Sequence, residues 1–238
     1  MRRIFGGWAA LVAALFFLAP NLLAREQFEE TARIAAWPDG DTAVLRDGRR
    51  IRLMGVDTPE MARQNQPGGY FAREARDFVR RLTKDASIRI VFCEDEEKPG
   101  RRLRDRYGRL LGEFFLPDGR SLNEQLLYAG MAFYFPHADI PARAGERLLA
   151  AQKLALKNRA GCWQGVLARP EAQAVHIGNR KSRRFFSRAC LVQARVAKRN
   201  QVRFSDLEAA FAAGYAPARP CGIWPLESAM PPTQSEPH

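Results

Sequence analysis

The stretch Thr31-Ala-Arg-Ile-Ala-Ala-Trp-Pro-Asp-Gly-Asp-Thr-Ala-Val-Leu-Arg-Asp-Gly-Arg-Arg-Ile-Arg-Leu53 decides the reading of the fold. Its apolar residues alternate around two turn signals, Pro38-Asp39-Gly40-Asp41 and Asp47-Gly48, the pattern of half-buried strands joined by tight turns. Three short antiparallel strands are expected here. Downstream of Gly68-Gly69, the residues Tyr70, Phe71, Ala75, Phe78, Val79 and Leu82 recur at helical spacing, which predicts a helix over 70–84. Residues 87–94 place Ile88, Ile90 and Phe92 on one face, the mark of a further strand. A charged loop over 101–106 leads to another strand over 107–116, closed by Pro117-Asp118-Gly119.

Ser121 is suited to cap a helix, with Glu124 three residues on, and Gly130 ends it. A last helix fits residues 144–159, with Gly161 as its stop. Five short strands with helices inserted late predict an α+β domain over residues 27–163, a five-stranded barrel of oligonucleotide-binding (OB) type packed against about three helices. A small basic module over 170–224 and a disordered tail over 225–238, rich in Pro, Ser and Thr, complete the expected organisation.

Composition sets limits on partners. The 238 residues carry a formal net charge of +12, a surplus that attracts polyanions: nucleic acid, anionic lipid or an acidic protein. Met1-Arg2-Arg3, an apolar run to Leu18 and a small residue at Ala24 read as a signal peptide over 1–24, with retention as an anchor the alternative. Export follows either way, to a periplasmic or secreted destination, and after cleavage no stable membrane insertion is expected. Cys93, Cys162, Cys190 and Cys221 form an even set in a chain bound for an oxidising compartment, where at least one disulfide is expected and three pairings are open.

Three clusters carry chemistry: Asp39-Gly40-Asp41-Thr42, the run from Arg52 through Asp57-Thr58-Pro59-Glu60, and Asp105-Arg106-Tyr107-Gly108-Arg109. Each alone has a plain structural explanation as a turn, a strand end or a basic loop. Together they supply what a single-metal phosphodiesterase needs. Asp41 and Asp57 at strand ends offer the oxygen donors that calcium prefers. Arg52 and Arg109 can fork onto phosphate oxygens and meet the charge that grows as water attacks phosphorus. Glu60 remains as a candidate general base. His137, His176 and His238 have no partner at ligand spacing and are read as surface or tail residues.

The order Asp-Gly-Asp-Thr, Arg-x-x-x-Val-Asp-Thr-Pro-Glu, Asp-x-Tyr-Gly-Arg, Leu-Asn-Glu, Gly-Met-Ala and Gly-Cys-Trp across residues 31–163 resembles the staphylococcal nuclease family. The resemblance implies an OB barrel with calcium held by Asp41, Asp57 and the carbonyl of Thr58. It implies Arg52 and Arg109 on the scissile phosphate, Glu60 as base, and cleavage of DNA and RNA to 3′-phosphate ends; a monomer is expected. The family's nucleotide-stacking tyrosines match only loosely, through Tyr107 and the stretch Phe133-Tyr134-Phe135, so Arg106, Tyr107 and Tyr134 are the substrate-binding candidates. The competing reading is a catalytically silent OB-fold nucleic-acid-binding protein of the cell envelope, which predicts gaps in the metal or arginine set.

From His176 onward the sequence is similar to a small zinc-binding module of the Ada type, normally held by one His and three Cys. Here Phe186 and Ala218 stand where ligands would be expected, leaving Cys190 and Cys221. Two sulfurs cannot close a tetrahedral zinc site. The resemblance therefore implies no zinc, a Cys190–Cys221 disulfide in its place, and Cys93–Cys162 as a second bridge. Residues 169–221 hold eleven Lys or Arg against three Asp or Glu, so this module is expected to act as a cationic flap over nucleic acid.

Overall fold

The computed structural model describes residues 28–95, 98 and 100–230. The expected signal peptide over 1–24, the end of the tail and His238 lie outside the described residues. In chain order the elements are β1 (Glu29–Ala36), β2 (Thr42–Leu45), β3 (Arg50–Leu53), β4 (Val56–Asp57), α1 (Ala72–Thr83), β5 (Ser87–Phe92), β6 (Leu110–Phe115), α2 (Leu122–Tyr128), β7 (Phe133–Tyr134) and α3 (Ala142–Asn158). There follow α4 (Cys162–Ala168), β8 (His176–Asn179), β9 (Arg184–Ser187), α5 (Arg188–Ala194), β10 (Gln201–Phe204), α6 (Leu207–Ala212) and β11 (Ala216–Pro217). Among the described residues no helix is long and apolar enough to cross a membrane.

Strands β1, β2, β3, β6 and β5 close into the expected five-stranded barrel in that order. Period-two alternation puts Ile51, Ile88, Ile90 and Phe114 inside, each without solvent exposure. Strands β3 and β6 pair in parallel, Ile51 opposite Leu110 and Arg52 opposite Leu111, so the Asp105–Arg109 loop that enters β6 lies beside the start of β3. The helix start at Leu-Asn-Glu has a structural reason. Ser121 accepts the Glu124 N–H as a cap, while Asn123, fully buried, donates from Nδ2 to the Met54 carbonyl at 2.8 Å and accepts the Phe114 N–H at 3.1 Å. One amide thus ties α2 to β6 and to the chain entering β4.

The C-terminal segment is not an appended flap. Strands β10, β8, β9 and β11 form a second sheet, and its apolar face joins Phe133, Leu156 and Trp163 of the preceding domain in one core. Phe211 lies 4.7 Å from Trp163 and 5.1 Å from Phe185, edge to face in both pairs, an arrangement that adds to simple area burial. Buried Gln152 of α3 spans the junction, accepting the Tyr134 N–H at 2.6 Å and donating to the Phe211 carbonyl at 2.7 Å. Helix α4, unforeseen, follows Gly161, whose added Cβ would stand 2.4 Å from the Ala129 carbonyl oxygen. Only glycine admits that contact. Residues 225–230 also depart from the expected disorder. Tyr70 donates to the Pro225 carbonyl, Glu227 to the Gly68 carbonyl, and Met230 packs on the second core.

Cys190 and Cys221 form a disulfide that ties α5 to the turn after β11. Cys93 and Cys162 do not pair. Each is a buried free thiol, Cys93 in the barrel core and Cys162 in the second core, so the expected bridge would have to join two separate clusters. Burial pushes the Cys93 thiol up to about 12 and raises that of Cys162 as well, which keeps both protonated.

Candidate active site

The site begins with the turn at Pro38-Asp39-Gly40-Asp41. Asp39 Oδ1 accepts the N–H groups of Asp41 and Thr42, closing the turn. Gly40 lets it pack flat against the next strand connection, since an added Cβ would meet Thr58 Cγ2 at 2.8 Å and Ala75 Cβ at 2.9 Å. That close approach brings Asp41 onto Thr58. Asp41 Oδ2 accepts from the Thr58 backbone N–H at 2.7 Å and from Thr58 Oγ1 at 2.8 Å.

Arg52, on β3, lies between the two buried aspartates. Its Nη1 is ion-paired with Asp41 Oδ1 and its Nη2 hydrogen-bonds Asp57 Oδ1. The side chains of Asp41 and Asp57 are only 7% and 9% exposed, so these charges interact in a low dielectric. Burial pushes the Arg52 guanidinium down from its usual range, while Asp57 acts the other way.

Arg109 reaches the same cluster from the β6 side. It hydrogen-bonds Asp105 through Nε at 2.7 Å and Thr42 Oγ1 through Nη1 at 3.1 Å. Burial pushes the Asp105 carboxyl up, but the Arg109 side chain and the N–H groups of Arg109 and Tyr107 outweigh it and hold the acid below its usual range. The structure therefore gathers Asp41, Arg52, Asp57, Thr58 and Arg109. Glu60 stands at the edge. Its side chain is 64% exposed, and its ion-pair partner among the described residues is Arg63 at 3.8 Å.

The substrate-binding candidates divide. Tyr107 is 63% exposed, and Arg106 stacks on its ring and donates to its hydroxyl at 2.6 Å. Tyr134 is a correction. It lies in the barrel core at 9% exposure, because β7 pairs with β4 and turns this ring inward, and it offers no face for stacking. His137 pairs with Asp139 at 2.6 Å, and His176 is buried against Phe185 with its Nδ1 on the Ala174 carbonyl.

Two basic residues were not legible in the sequence. Arg219 reaches Asp57 from the C-terminal module, Nη2 to Oδ1 at 3.1 Å, across a separation of 162 residues. Arg184 lies over the ring of Phe135 at 3.7 Å. Both line a cleft of about 490 Å³ between barrel and module, to which the barrel domain contributes Arg52, Arg109, Tyr107 and Phe135.

The family described as "Staphylococcal nuclease homologue" matches residues 50–165. A thermonuclease of Staphylococcus hyicus is 31% identical over 180 residues, covering 68% of this chain and 99% of that protein. The chain belongs to the staphylococcal nuclease family. A thermonuclease of Staphylococcus intermedius is 32% identical over 134 residues, 53% of this chain and 71% of its own length. An uncharacterized endonuclease of Escherichia coli is 30% identical over 106 residues, 43% of this chain and 60% of that protein. Similarity to an Ada-type zinc module does not emerge from these comparisons.

The family is metal-dependent. Asp41 and Asp57 present buried carboxylate oxygens to one point, where a single guanidinium already bridges them. Two hard anionic donors held that close fit a hard divalent cation, although no group of three or more acidic, His or Cys side chains is assembled among the described residues. Backbone carbonyl and water would have to complete the shell.

Proposed function

We propose that the chain is an exported, calcium-dependent endonuclease that hydrolyses phosphodiester bonds of DNA and RNA, leaving 3′-phosphate ends. The observation that carries this reading is Arg52 bridging the Asp41–Asp57 pair, with Arg109 reaching the same turn through Thr42, beside a basic cleft. Asp41, Asp57 and the carbonyl of Thr58 would hold the metal, which when bound supplies Lewis-acid stabilisation and a template for the phosphate.

The remaining chemistry belongs to the side chains. A phosphate entering the cleft meets Arg109, whose Nε and Nη1 contacts to Asp105 and Thr42 orient its fork in advance. Arg52 is fixed by its two aspartates and adds a second guanidinium where charge accumulates on the phosphoryl oxygens. Glu60, exposed three residues beyond Asp57, is free to accept the proton of an attacking water. Attack opposite the 5′ oxygen expels that oxygen and leaves the phosphate on the 3′ side.

Export is supported by the sequence before Ala24 and by the Cys190–Cys221 disulfide, which persists in an oxidising compartment. The test is end analysis of a 5′-labelled oligonucleotide digested by the purified protein. Products whose mobility shifts on treatment with a 3′-phosphatase support the proposal. Products carrying 3′-hydroxyl groups overturn it.

A further inference from the structure

The cleft is walled on one side by the barrel and on the other by the C-terminal sheet, and the second wall contributes cations of its own. Arg219 uses one nitrogen, Nη2, for Asp57, and its Nε and Nη1 make no hydrogen bond among the described residues. Arg184 has no carboxylate partner among the described residues. Its contacts are the Pro136 carbonyl at 3.2 Å, the Arg183 carbonyl at 3.4 Å and the Phe135 ring. Burial pushes its guanidinium down to about 10, outweighing the opposing attraction of Asp57. Holding an unpaired cation there costs stability, and an anion arriving in the cleft would offset that cost.

The lining is suited to one kind of anion. Six arginines line the cleft against two aspartates, and both acids are already paired, Asp105 with Arg109 and Asp139 with His137. Arg52 and Arg219 are held by Asp41 and Asp57, so the positive charge without a carboxylate contact among the described residues comes from Arg104, Arg106 and Arg184. Exposed Tyr107 adds an aromatic face suited to a base, while the Phe135 ring already carries Arg184. A volume of about 490 Å³ suits a small unit such as one nucleotide rather than a duplex.

We propose that Arg219 and Arg184 of the C-terminal module are substrate-binding residues that hold the phosphate next to the scissile one on a single strand of nucleic acid. The C-terminal module thus completes the nuclease site, which explains why it shares a core with the barrel domain instead of hanging from a linker. The Cys190–Cys221 bridge fixes the turn that carries Arg219, two residues from Cys221. This inference rests on the nuclease reading above.

The experiment measures binding of a short fluorescein-labelled oligothymidylate to the full chain in the presence of a calcium chelator, by anisotropy over a range of potassium chloride concentrations. Arg219→Ala and Arg184→Met are compared with the parent and with Arg219→Lys. Each phosphate contact on a single strand contributes about 0.7 to the slope of log K against log salt, so each neutral variant is expected to lower the slope by about that amount. Affinity at low salt should fall about tenfold, the size of one charge-assisted hydrogen bond, and Arg219→Lys should keep the slope. Unchanged slopes in both neutral variants would overturn the inference, including the case where Arg219→Ala changes only the melting temperature, as a residue that merely neutralises Asp57 would. If the parent itself fails both to bind the oligonucleotide and to cleave it with calcium, the nuclease reading falls as well. A parent that binds and cleaves while the variants keep its slope isolates the failure to Arg219 and Arg184.

Discussion

Replacing Arg52 by Met removes the one cation shared by two buried carboxylates. Breaking a buried pair in this way costs about 3–5 kcal/mol, mostly the penalty of leaving a charge without its partner. The surroundings place this case at the lower end. Asp57 keeps Arg219 at 3.1 Å, and Asp41 keeps the N–H and hydroxyl of Thr58 at 2.7 and 2.8 Å. The methionine retains the volume of the apolar stem, so little is added for a cavity. A loss of about 3 kcal/mol corresponds to a drop in Tm of about 6–12 °C for a chain of this size. The assay is thermal unfolding followed by circular dichroism, first with a chelator and then with calcium. Calcium should recover more of the loss in the variant than it adds to the parent, since it no longer competes with a guanidinium for the two carboxylates. A variant that unfolds within about 2 °C of the parent would refute the claim that Arg52 holds the carboxylate pair together.

Further outcomes follow from particular contacts. Gly40→Ala should lower activity and cost about 1–3 kcal/mol, because its Cβ would push the Asp41 turn off Thr58, as activity and denaturant titrations would show together. Gln152→Leu removes both buried hydrogen bonds across the junction of barrel and module and should destabilise by about 2–4 kcal/mol, read from the urea midpoint. Replacing Cys190 and Cys221 by Ala opens a loop with a separation of 31 residues and should cost about 3–4 kcal/mol, while Cys93 and Cys162 should react with a thiol reagent only after unfolding. Burial lowers the His176 pKa below its unfolded value near 6.5, so the unfolded state binds the proton more readily and stability falls as pH drops through about 6.5. That acid-side loss of Tm should shrink in His176→Phe.

What was legible in the sequence was local. Alternation at period two gave the barrel strands, and the Ser121 cap formed where Ser and Glu stand three apart, because both signals depend on neighbours a few residues away. The turns that present the candidate site residues were legible because they are short: Asp39 closes its own turn, and Asp105 caps the loop of Arg109. The rest required contacts between distant segments. Nothing in Pro-Ala-Arg-Pro-Cys marks Arg219 as a partner of Asp57. The stretch Phe133-Tyr134-Phe135 reads the same whichever ring faces inward, and the two-residue pairing of β7 with β4 decided it against Tyr134. Cys93 and Cys162 could be matched by number alone, yet they fell into different cores. The basic C-terminal stretch looked like a solvated flap because its charges outnumber its aromatics in sequence, whereas Phe185, Phe204 and Phe211 all turn to one side.

The most direct test of the account is release of acid-soluble fragments from single-stranded DNA by the purified chain, with calcium or with a chelator, beside Glu60→Gln and Arg109→Ala. The account predicts cleavage that requires calcium and falls by at least about a hundredfold in each variant, the usual loss when a general base or a charge-stabilising group is removed. Undiminished cleavage in the chelator or in both variants, or a folded protein that binds DNA without cutting it, would contradict the account.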